Sequence, residues 1–204
     1  MTPQQPPRAD WQSRGYLPHL YKPGGTYFVT FRLGDSLPQE VLAAYQAERL
    51  ALLNLMAANK RTLTDCERTR LATLFCERVD TALDARAGSC ILRHEPAAQV
   101  VADAIQFFAG ERHALLAWCV MPNHVHTLLR PETGHGLPDI LQSWKSFTAK
   151  KINKLFGQTG RLWMPEWYDH LVRDREELLR FANYTMDNPK RAGLTNWPWV
   201  GVDL

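Results

Sequence analysis

Cysteine is scarce in this chain, and a long apolar run is missing. The cysteines form no C-x-x-C pair, and their spacing matches no zinc ribbon or finger: Cys66, Cys76, Cys90 and Cys119. We expect them to be reduced thiols that serve mainly in packing. No uncharged apolar window of about 18 residues occurs, and residues 1–8 lack the apolar core of a signal peptide. These absences predict a cytoplasmic protein without a membrane span.

Length and composition indicate one globular domain. The 204 residues fit a single domain, or one domain with an insertion, and 45% apolar with 22% charged residues is an ordinary balance. Residues 1–24 are rich in proline and polar residues, which predicts an N-terminal arm. A turn signal at residues 23–25 then marks the start of a domain that spans residues 25–204.

The positive charge is concentrated late in the chain. The net charge is +3, and residues 141–191 contain ten of the 24 basic but only six of the 21 acidic residues. Such a surplus is compatible with a polyanionic partner, although many proteins that bind none show as much.

Periodicity predicts strands and helices in an α+β order. Residues 26–32 are rich in β-branched and aromatic side chains and predict a first strand. Helical patterns follow at residues 38–59 and 65–85, which we interpret as a helical insertion over about 38–90, and another helix is predicted at 96–109. Two apolar runs, 113–121 and 124–130, predict a hairpin. The pattern favours an antiparallel sheet with helices packed on it.

The last third predicts two more helices and a strand. Residues 137–156 form an amphipathic helix whose apolar positions are Leu137, Ile140, Leu141, Trp144, Phe147, Ile152 and Leu155, with lysines between them. A strand is predicted at 167–172. The final helix begins at Asp174 as N-cap, with Glu177 in the capping-box position, and is expected to end near Asn188 because Pro189 follows.

Two histidines separated by one residue begin the second strand of the hairpin. Because side chains alternate across a strand, His124 and His126 point to the same face, where they can hold one metal ion. Such a pair alone is a weak signal, since most H-x-H pairs are not ligands. The nucleotide-hydrolase pattern of three alternating histidines is excluded, because Leu128 stands at the third position.

A tyrosine and an asparagine are four residues apart on the final helix. This spacing places the phenol of Tyr184 and the carboxamide of Asn188 on one stripe. The core stripe is predicted to contain Leu178, Leu179, Ala182, Thr185 and Met186, so Tyr184 should face an edge or a cleft. An exposed tyrosine without a role is the alternative interpretation.

Several motifs, taken together, resemble one family. The strings W-C-V-M-P-N-H-V-H-T-L-L, S-W-K-S-F-T-A-K-K-I-N, W-Y-D-H-L-V-R-D and Y-T-M-D-N-P-K-R-A-G-L are similar to those of the REP-associated tyrosine transposases, members of the single-tyrosine HUH transposase superfamily. The similarity runs from about residue 15 to 199, and residues 38–90 match only as helical segments. This chain differs at Met164, Pro165 and Trp167, where more polar and basic residues are expected.

The resemblance implies a fold and a set of functional residues. The implied fold is a ferredoxin-like antiparallel sheet flanked by helices, the HUH fold, with a helical insertion. His124 and His126 would be metal ligands, Tyr184 the nucleophile and Asn188 the third ligand. The metal would be Mg²⁺ or Mn²⁺.

The implied activity is metal-dependent cutting and joining of single-stranded DNA. The tyrosine would attack a phosphodiester and remain on the 5′ side as a phosphotyrosine. The expected partner is single-stranded DNA with a hairpin, like that of REP palindromes, bound in the nucleoid by a monomer or homodimer. Two alternatives stay open: a protein that binds palindromic repeats without cleavage, and a phosphodiesterase that activates water.

Basic residues of the last third are the candidates for DNA contacts. They are Lys145, Lys150, Lys151, Lys154, Lys190 and Arg191. Each of them, taken alone, is more often only a solvated side chain.

Overall fold

The computed structural model describes residues 10–13, 18–38 and 87–204, together with positions 40, 41, 43, 44, 47, 64, 82, 83 and 85. Except for these single positions, the helices predicted at 38–59 and 65–85, and the insertion they would form, lie outside the described residues. In chain order the elements are β1 (Asp10–Ser13), β2 (Pro18–Tyr21), β3 (Tyr27–Arg32), a 3-10 turn (Ile91–Arg93), α1 (Glu95–Gln106), β4 (His113–Val120), β5 (His124–Pro131), α2 (Leu137–Phe156), β6 (Tyr168–Leu171), α3 (Arg175–Arg191) and β7 (Val200–Val202).

A five-stranded antiparallel sheet lies at the centre of the fold. Its strands follow the order β6-β3-β5-β4-β7, and every neighbouring pair is antiparallel. The chain order β3-α1-β4-β5-α2-β6 with β5 between β3 and β4 is the ferredoxin-like arrangement. The predicted α+β class, with an antiparallel sheet flanked by helices, is confirmed.

The two faces of the sheet are covered by different helices. On one face, Val29 and Phe31 of β3 and Val125 of β5 pack in the same cluster as side chains of α1 and α2. On the other face, Phe28 and Leu128 pack against α3. All six residues of β3 are buried, as expected for an apolar strand covered on both sides.

Most predicted boundaries agree with the structure to within a few residues. The helix predicted at 137–156 is α2 with the same bounds, and its C-cap Gly157 adopts the left-handed conformation (φ 62°) that favours glycine. Helix α1 ends at Gln106 instead of 109, and β6 covers residues 168–171 instead of 167–172.

Helix α3 contradicts the prediction that it ends near Asn188. It continues to Arg191, with Pro189 inside its last turn. Proline removes only one helical N–H, and the residues after it still close turns: the Ala192 N–H donates to the Asn188 carbonyl at 3.0 Å, and the Leu194 N–H donates to the Pro189 carbonyl at 2.8 Å. Asn188 and Pro189 are both buried, so packing stabilises this last turn.

Three apolar side chains predicted to face the core are instead exposed. Phe147 and Leu155 of α2 are 49% and 56% exposed, and Leu179 of α3 is 44% exposed. Their helices have polar outer faces, and these positions lie beyond the edge of the stripe that contacts the sheet. The predicted apolar stripes were therefore too wide.

The described part of the N-terminal arm forms a small second sheet. Strands β1 and β2 pair antiparallel, and the His19 imidazole on β2 is hydrogen-bonded to the Asp169 carboxylate on β6. The His19 ring also lies 5.1 Å from the Trp167 ring, measured between centroids. The arm thus contacts β6, the edge strand of the main sheet. No helix among the described residues is long and apolar enough to cross a membrane.

Candidate active site

Strand β5 places the two histidines on the face that α3 covers. In the register with β3, His124 lies opposite Arg32 and His126 lies opposite Thr30. Both imidazoles are 1% exposed or less. Their ring centroids are 4.6 Å apart, and their Nε2 atoms are separated by 3.0 Å. The alternation of side chains along β5 therefore brings two imidazole nitrogens to one point.

Each histidine is held through its other ring nitrogen. His124 Nδ1 is 2.8 Å from Asn123 Oδ1, and His126 Nδ1 is 2.8 Å from Thr30 Oγ1. Burial lowers the pKa of His124 to about 3. Burial, together with the charge of Arg191, also lowers the pKa of His126 well below its usual range. Both rings are therefore neutral at physiological pH, which is the form that binds a metal ion.

Helix α3 places Tyr184 beside the histidine pair. The helix starts at Asp174, whose carboxylate accepts the Glu177 N–H at 2.8 Å, as the capping-box pattern predicted. The Tyr184 ring centroid lies 5.4 Å from that of His126 and 5.8 Å from that of Phe28. The tyrosine is half-buried and packs against the cluster that contains Phe28 and Leu128, so it lies beside the core, and not off the core stripe as was predicted.

Among the described residues, the buried carboxamide of Asn188 has no hydrogen-bond partner. The residue is 0% exposed, and neither Oδ1 nor Nδ2 has a partner among the described residues. Leaving such groups unpaired costs about 1–3 kcal/mol each, so native structures seldom do so without a reason. A bound ligand would satisfy the amide oxygen.

The donor set fits a divalent metal ion. No cluster of three or more His, Cys, Asp or Glu residues lies in the part of the chain that the structure describes. The candidate centre is instead a pair of neutral imidazoles, with an orphaned amide oxygen one helical turn beyond Tyr184. Nitrogen and oxygen donors of this kind suit Mn²⁺ or Mg²⁺ that keeps positions open for other ligands.

The predicted DNA-contact residues do not form one surface. Lys150, Lys151 and Lys154 are exposed on α2, which packs on the face of the sheet opposite to Tyr184. Lys190 and Arg191 are exposed in the last turn of α3. The set predicted from the sequence is therefore divided between two layers of the fold.

Lys145, one of the predicted DNA contacts, is buried. It is 9% exposed, and its Nζ donates to the Pro165 carbonyl at 2.7 Å. Burial lowers its pKa to about 8. The side chain lies under the segment that carries Pro165 and Trp167, because α2 turns this position toward that segment. Lys145 is thus not on the exposed basic face of α2.

Three residues near the site were missed by reasoning from the sequence. Asn123 and Thr30 contact the histidines through hydrogen bonds, and Arg32 lies directly opposite His124 with 6% exposure. Thr30 and Arg32 reach the site only through the register between β3 and β5, which no local pattern reveals. Asn123 could have been identified from the sequence, because it directly precedes the histidine pair at the hairpin turn.

Comparisons with known proteins find similarity to transposases in both sequence and fold. Residues 91–184, which include the histidine pair and end at Tyr184, match the family model described as Transposase IS200 like. A Haemophilus influenzae protein, named provisionally as a REP-associated tyrosine transposase, is 24% identical over 98 residues, covering 41% of this chain and 56% of that protein. A solved structure of a REP-associated tyrosine transposase bound to a REP hairpin covers 93% of this chain and 81% of that chain, with 18% identity and a TM-score of 0.50.

The chain thus spans about half the length of the curated relative that it matches. The family match covers 94 of the 204 residues, and the solved structure is similar to this chain in its fold. The resemblance to the REP-associated tyrosine transposases, which the motifs predicted, is confirmed.

Proposed function

We propose that this chain is a single-stranded DNA endonuclease and strand transferase that acts on palindromic repeat DNA through a 5′-phosphotyrosine intermediate. The observation that carries the proposal is the distance of 5.4 Å between the ring centroids of Tyr184 and His126, beside two Nε2 atoms that are 3.0 Å apart. A phenol and a pair of imidazoles therefore lie side by side. This combination suits nucleophilic attack on a phosphodiester.

His124, His126 and Asn188 would hold the divalent metal ion. When bound, Mg²⁺ or Mn²⁺ would supply a Lewis acid that polarises the scissile phosphate. Two imidazole ligands make Mn²⁺ the chemically better match, whereas Mg²⁺ is more available. The support for this assignment is the unpaired carboxamide of Asn188 and the convergence of the two imidazoles.

Tyr184 would perform the covalent step. A lone pair of its phenolic oxygen forms a bond to phosphorus, and the bond between phosphorus and the 3′-oxygen breaks. The phenol loses its proton, and the departing oxygen takes one up, so a 5′-phosphotyrosine and a 3′-OH result. The Arg191 guanidinium lies 4.9 Å from the centroid of the Tyr184 ring, where its charge would offset that of the phosphate. Attack by a 3′-OH reverses the step without ATP.

The substrate would be single-stranded at the cut and would carry a hairpin nearby. A phosphate can reach a half-buried tyrosine only if the strand bends into the cleft, which duplex DNA resists. A hairpin adds recognition by shape. The likeness of this fold to that of a transposase bound to a REP hairpin supports DNA of this kind as the partner.

The test is covalent capture on DNA. An oligonucleotide with a hairpin and single-stranded flanks, chosen by pull-down from the host genome, is incubated with protein and Mn²⁺ and resolved on a denaturing gel. The unmutated protein should yield a tyrosyl-DNA adduct and a 3′-OH product. Tyr184→Phe removes one oxygen and keeps the ring, so the adduct and cleavage should both vanish while DNA binding persists.

The control is Tyr168→Phe. Tyr168 is buried on β6 and contacts the same Phe28 ring, at 6.4 Å between centroids, so it is a second tyrosine of the same cluster. This variant should still form the adduct. Binding without cleavage by the unmutated protein would favour a DNA-binding protein that does not cut. Cleavage without an adduct, retained in Tyr184→Phe, would show that water is the nucleophile.

A further inference from the structure

Asn123 links the histidine pair to a distant part of the backbone. The residue is 0% exposed and lies in the turn between β4 and β5. Its Nδ2 donates to the carbonyls of Leu83 and Ala87, at 3.2 and 3.1 Å, and its Oδ1 is 2.8 Å from His124 Nδ1. Its own carbonyl accepts the Leu33 N–H at 2.9 Å. Both the NH₂ group and the oxygen of the carboxamide therefore form hydrogen bonds.

These contacts permit only one orientation of the amide. Carbonyl oxygens of Leu83 and Ala87 can only accept hydrogen bonds, so the NH₂ group of Asn123 must face them. Turning the amide over would set its oxygen against two other oxygens and its NH₂ against His124. The oxygen of Asn123 therefore faces the imidazole.

The orientation of Asn123 determines the tautomer of His124. An amide oxygen has no proton to give, so the hydrogen bond requires a proton on His124 Nδ1. In the neutral ring, a proton on Nδ1 leaves a lone pair on Nε2. That lone pair points to His126 Nε2, 3.0 Å away, where the metal ion of the proposed function would lie.

We infer that Asn123 is a positioning residue, which fixes His124 in the Nδ1–H tautomer and couples it to the backbone at Leu83 and Ala87. The inference deepens the proposed function, on which its consequence for metal binding rests. The tautomer itself is a property of the metal-free protein. A metal-binding histidine whose other ring nitrogen is hydrogen-bonded in this way binds metal about 10- to 100-fold more tightly than the same histidine without that hydrogen bond.

The tautomer also constrains His126 in the metal-free protein. A short contact between two Nε2 atoms needs one proton between them, and His124 already carries its proton on Nδ1. The proton must then lie on His126 Nε2, and His126 Nδ1 must accept from the Thr30 hydroxyl, 2.8 Å away. The two histidines are therefore expected to be opposite tautomers before metal binds.

The first measurement is the tautomeric state by long-range ¹H–¹⁵N correlation spectroscopy of the metal-free, full-length protein with ¹⁵N-labelled histidine. His124 should show protonated Nδ1 and His126 protonated Nε2. Finding His124 protonated on Nε2, or an equal mixture, would overturn the inference without touching the proposed nucleophile. The adduct assay on the same sample tests the proposed function separately.

The second measurement uses two substitutions that divide the roles of Asn123. Asn123→Asp keeps an oxygen acceptor for His124 and loses both N–H donors, whereas Asn123→Ala loses the acceptor and the donors. Binding of Mn²⁺ is followed by titration calorimetry, and folding by circular dichroism. Asn123→Asp should retain the His124 tautomer and bind Mn²⁺ within about threefold of the unmutated protein. Asn123→Ala should mix the tautomers and weaken Mn²⁺ binding by about 10- to 100-fold.

Stability separates positioning from a purely structural role. Both substitutions lose the contacts to Leu83 and Ala87, so both should lower the midpoint of thermal unfolding. If Mn²⁺ affinity falls equally in both variants, the loss of affinity reflects the loss of stability, and the positioning role is wrong. If Asn123→Ala does not fold, the tautomer of the unmutated protein and the affinity of Asn123→Asp still decide the matter.

Discussion

Burial of the Asn188 carboxamide is expected to lower the free energy of unfolding of the metal-free protein, because its polar atoms have no partner among the described residues. Its side chain is buried, and both polar atoms lack partners among the described residues. The same amide lies one turn from Tyr184, on the helix that covers the histidine pair. A polar group that is buried at a cost, one helical turn from the candidate nucleophile, is the pattern expected of a ligand.

The substitution Asn188→Ala should therefore separate stability from metal binding. Removal of two unpaired polar atoms offsets the loss of packing, so the free energy of unfolding of the metal-free protein should change by less than about 1 kcal/mol. Mn²⁺ affinity should fall at least about tenfold, because one ligand is lost. Denaturant unfolding and titration calorimetry measure the two quantities.

Asn188→Asp provides the matched control for this prediction. It keeps an oxygen of similar position and should retain Mn²⁺ binding. If Asn188→Ala is destabilised by more than about 2 kcal/mol while its Mn²⁺ affinity is unchanged, the carboxamide serves packing or hydrogen bonding that the ligand role does not explain.

Individual elements show which parts of the site a sequence can reveal. The shared face of His124 and His126 and the start of α3 at Asp174 follow from local rules, strand alternation and helix capping, and both predictions are confirmed. The contact of Thr30 with His126 depends on the register between two strands that are 96 residues apart in sequence. Local patterns contain no information on such pairing.

Packing also overrode two local rules. Pro189 was expected to end α3, but burial of the last turn keeps it helical to Arg191. Lys145 has the spacing of a surface lysine, yet the segment around Pro165 covers it. In both cases the deciding contact comes from a neighbouring element, which the sequence of the helix itself does not specify.

The start of α3 is stabilised by one buried carboxylate. Glu177 is 5% exposed and accepts hydrogen bonds from the Arg173 backbone N–H at 2.9 Å and from the Arg180 guanidinium at 2.9 Å. Burial alone would raise its pKa, but the hydrogen bonds from Arg173 and His170 outweigh this and lower the pKa to about 2. Its ordinary value is 4.5.

This pKa gives a pH-dependent prediction for Glu177→Gln. Because the folded-state pKa is lowered, the carboxylate contributes stability above pH 4.5, and that contribution is lost as the pH falls toward 2. The unmutated protein should be more stable than the variant by up to about 3 kcal/mol at pH 7. The difference should shrink between pH 4.5 and 2.

Denaturant unfolding across this pH range, with Glu176→Gln as control, measures the difference. Glu176 lies in the same helical turn and is exposed, so its substitution should have little effect at any pH. A difference between unmutated protein and Glu177→Gln that stays constant from pH 7 to pH 2 would mean that the ion pairs at Glu177 do not determine its contribution.

At the scale of the whole molecule, the sheet separates two sets of basic residues. Tyr184 and Arg191 lie with α3 on the face of the histidine pair, whereas the lysines of α2 lie in the opposite layer. A DNA strand in the cleft would meet α3 first. Under the proposed function, DNA that also contacts α2 must pass around an edge of the sheet.

This separation predicts that binding and chemistry can be changed independently. Replacing Lys150 and Lys151 together with alanine should weaken hairpin binding and reduce the slope of log affinity against log salt concentration by about 1.4 to 1.8, if each contacts one phosphate. The cleavage rate at saturating DNA should stay unchanged, since neither lysine is near Tyr184.

His124→Ala should have the opposite effect. Cleavage should fall by orders of magnitude while hairpin affinity stays close to normal, because affinity comes mainly from contacts to the DNA backbone. Salt-dependent binding and single-turnover cleavage, measured on the same hairpin, give both quantities. Equal loss of binding and cleavage in His124→Ala would make the histidines structural, and an unchanged salt slope in the double variant would confine the DNA to the α3 layer.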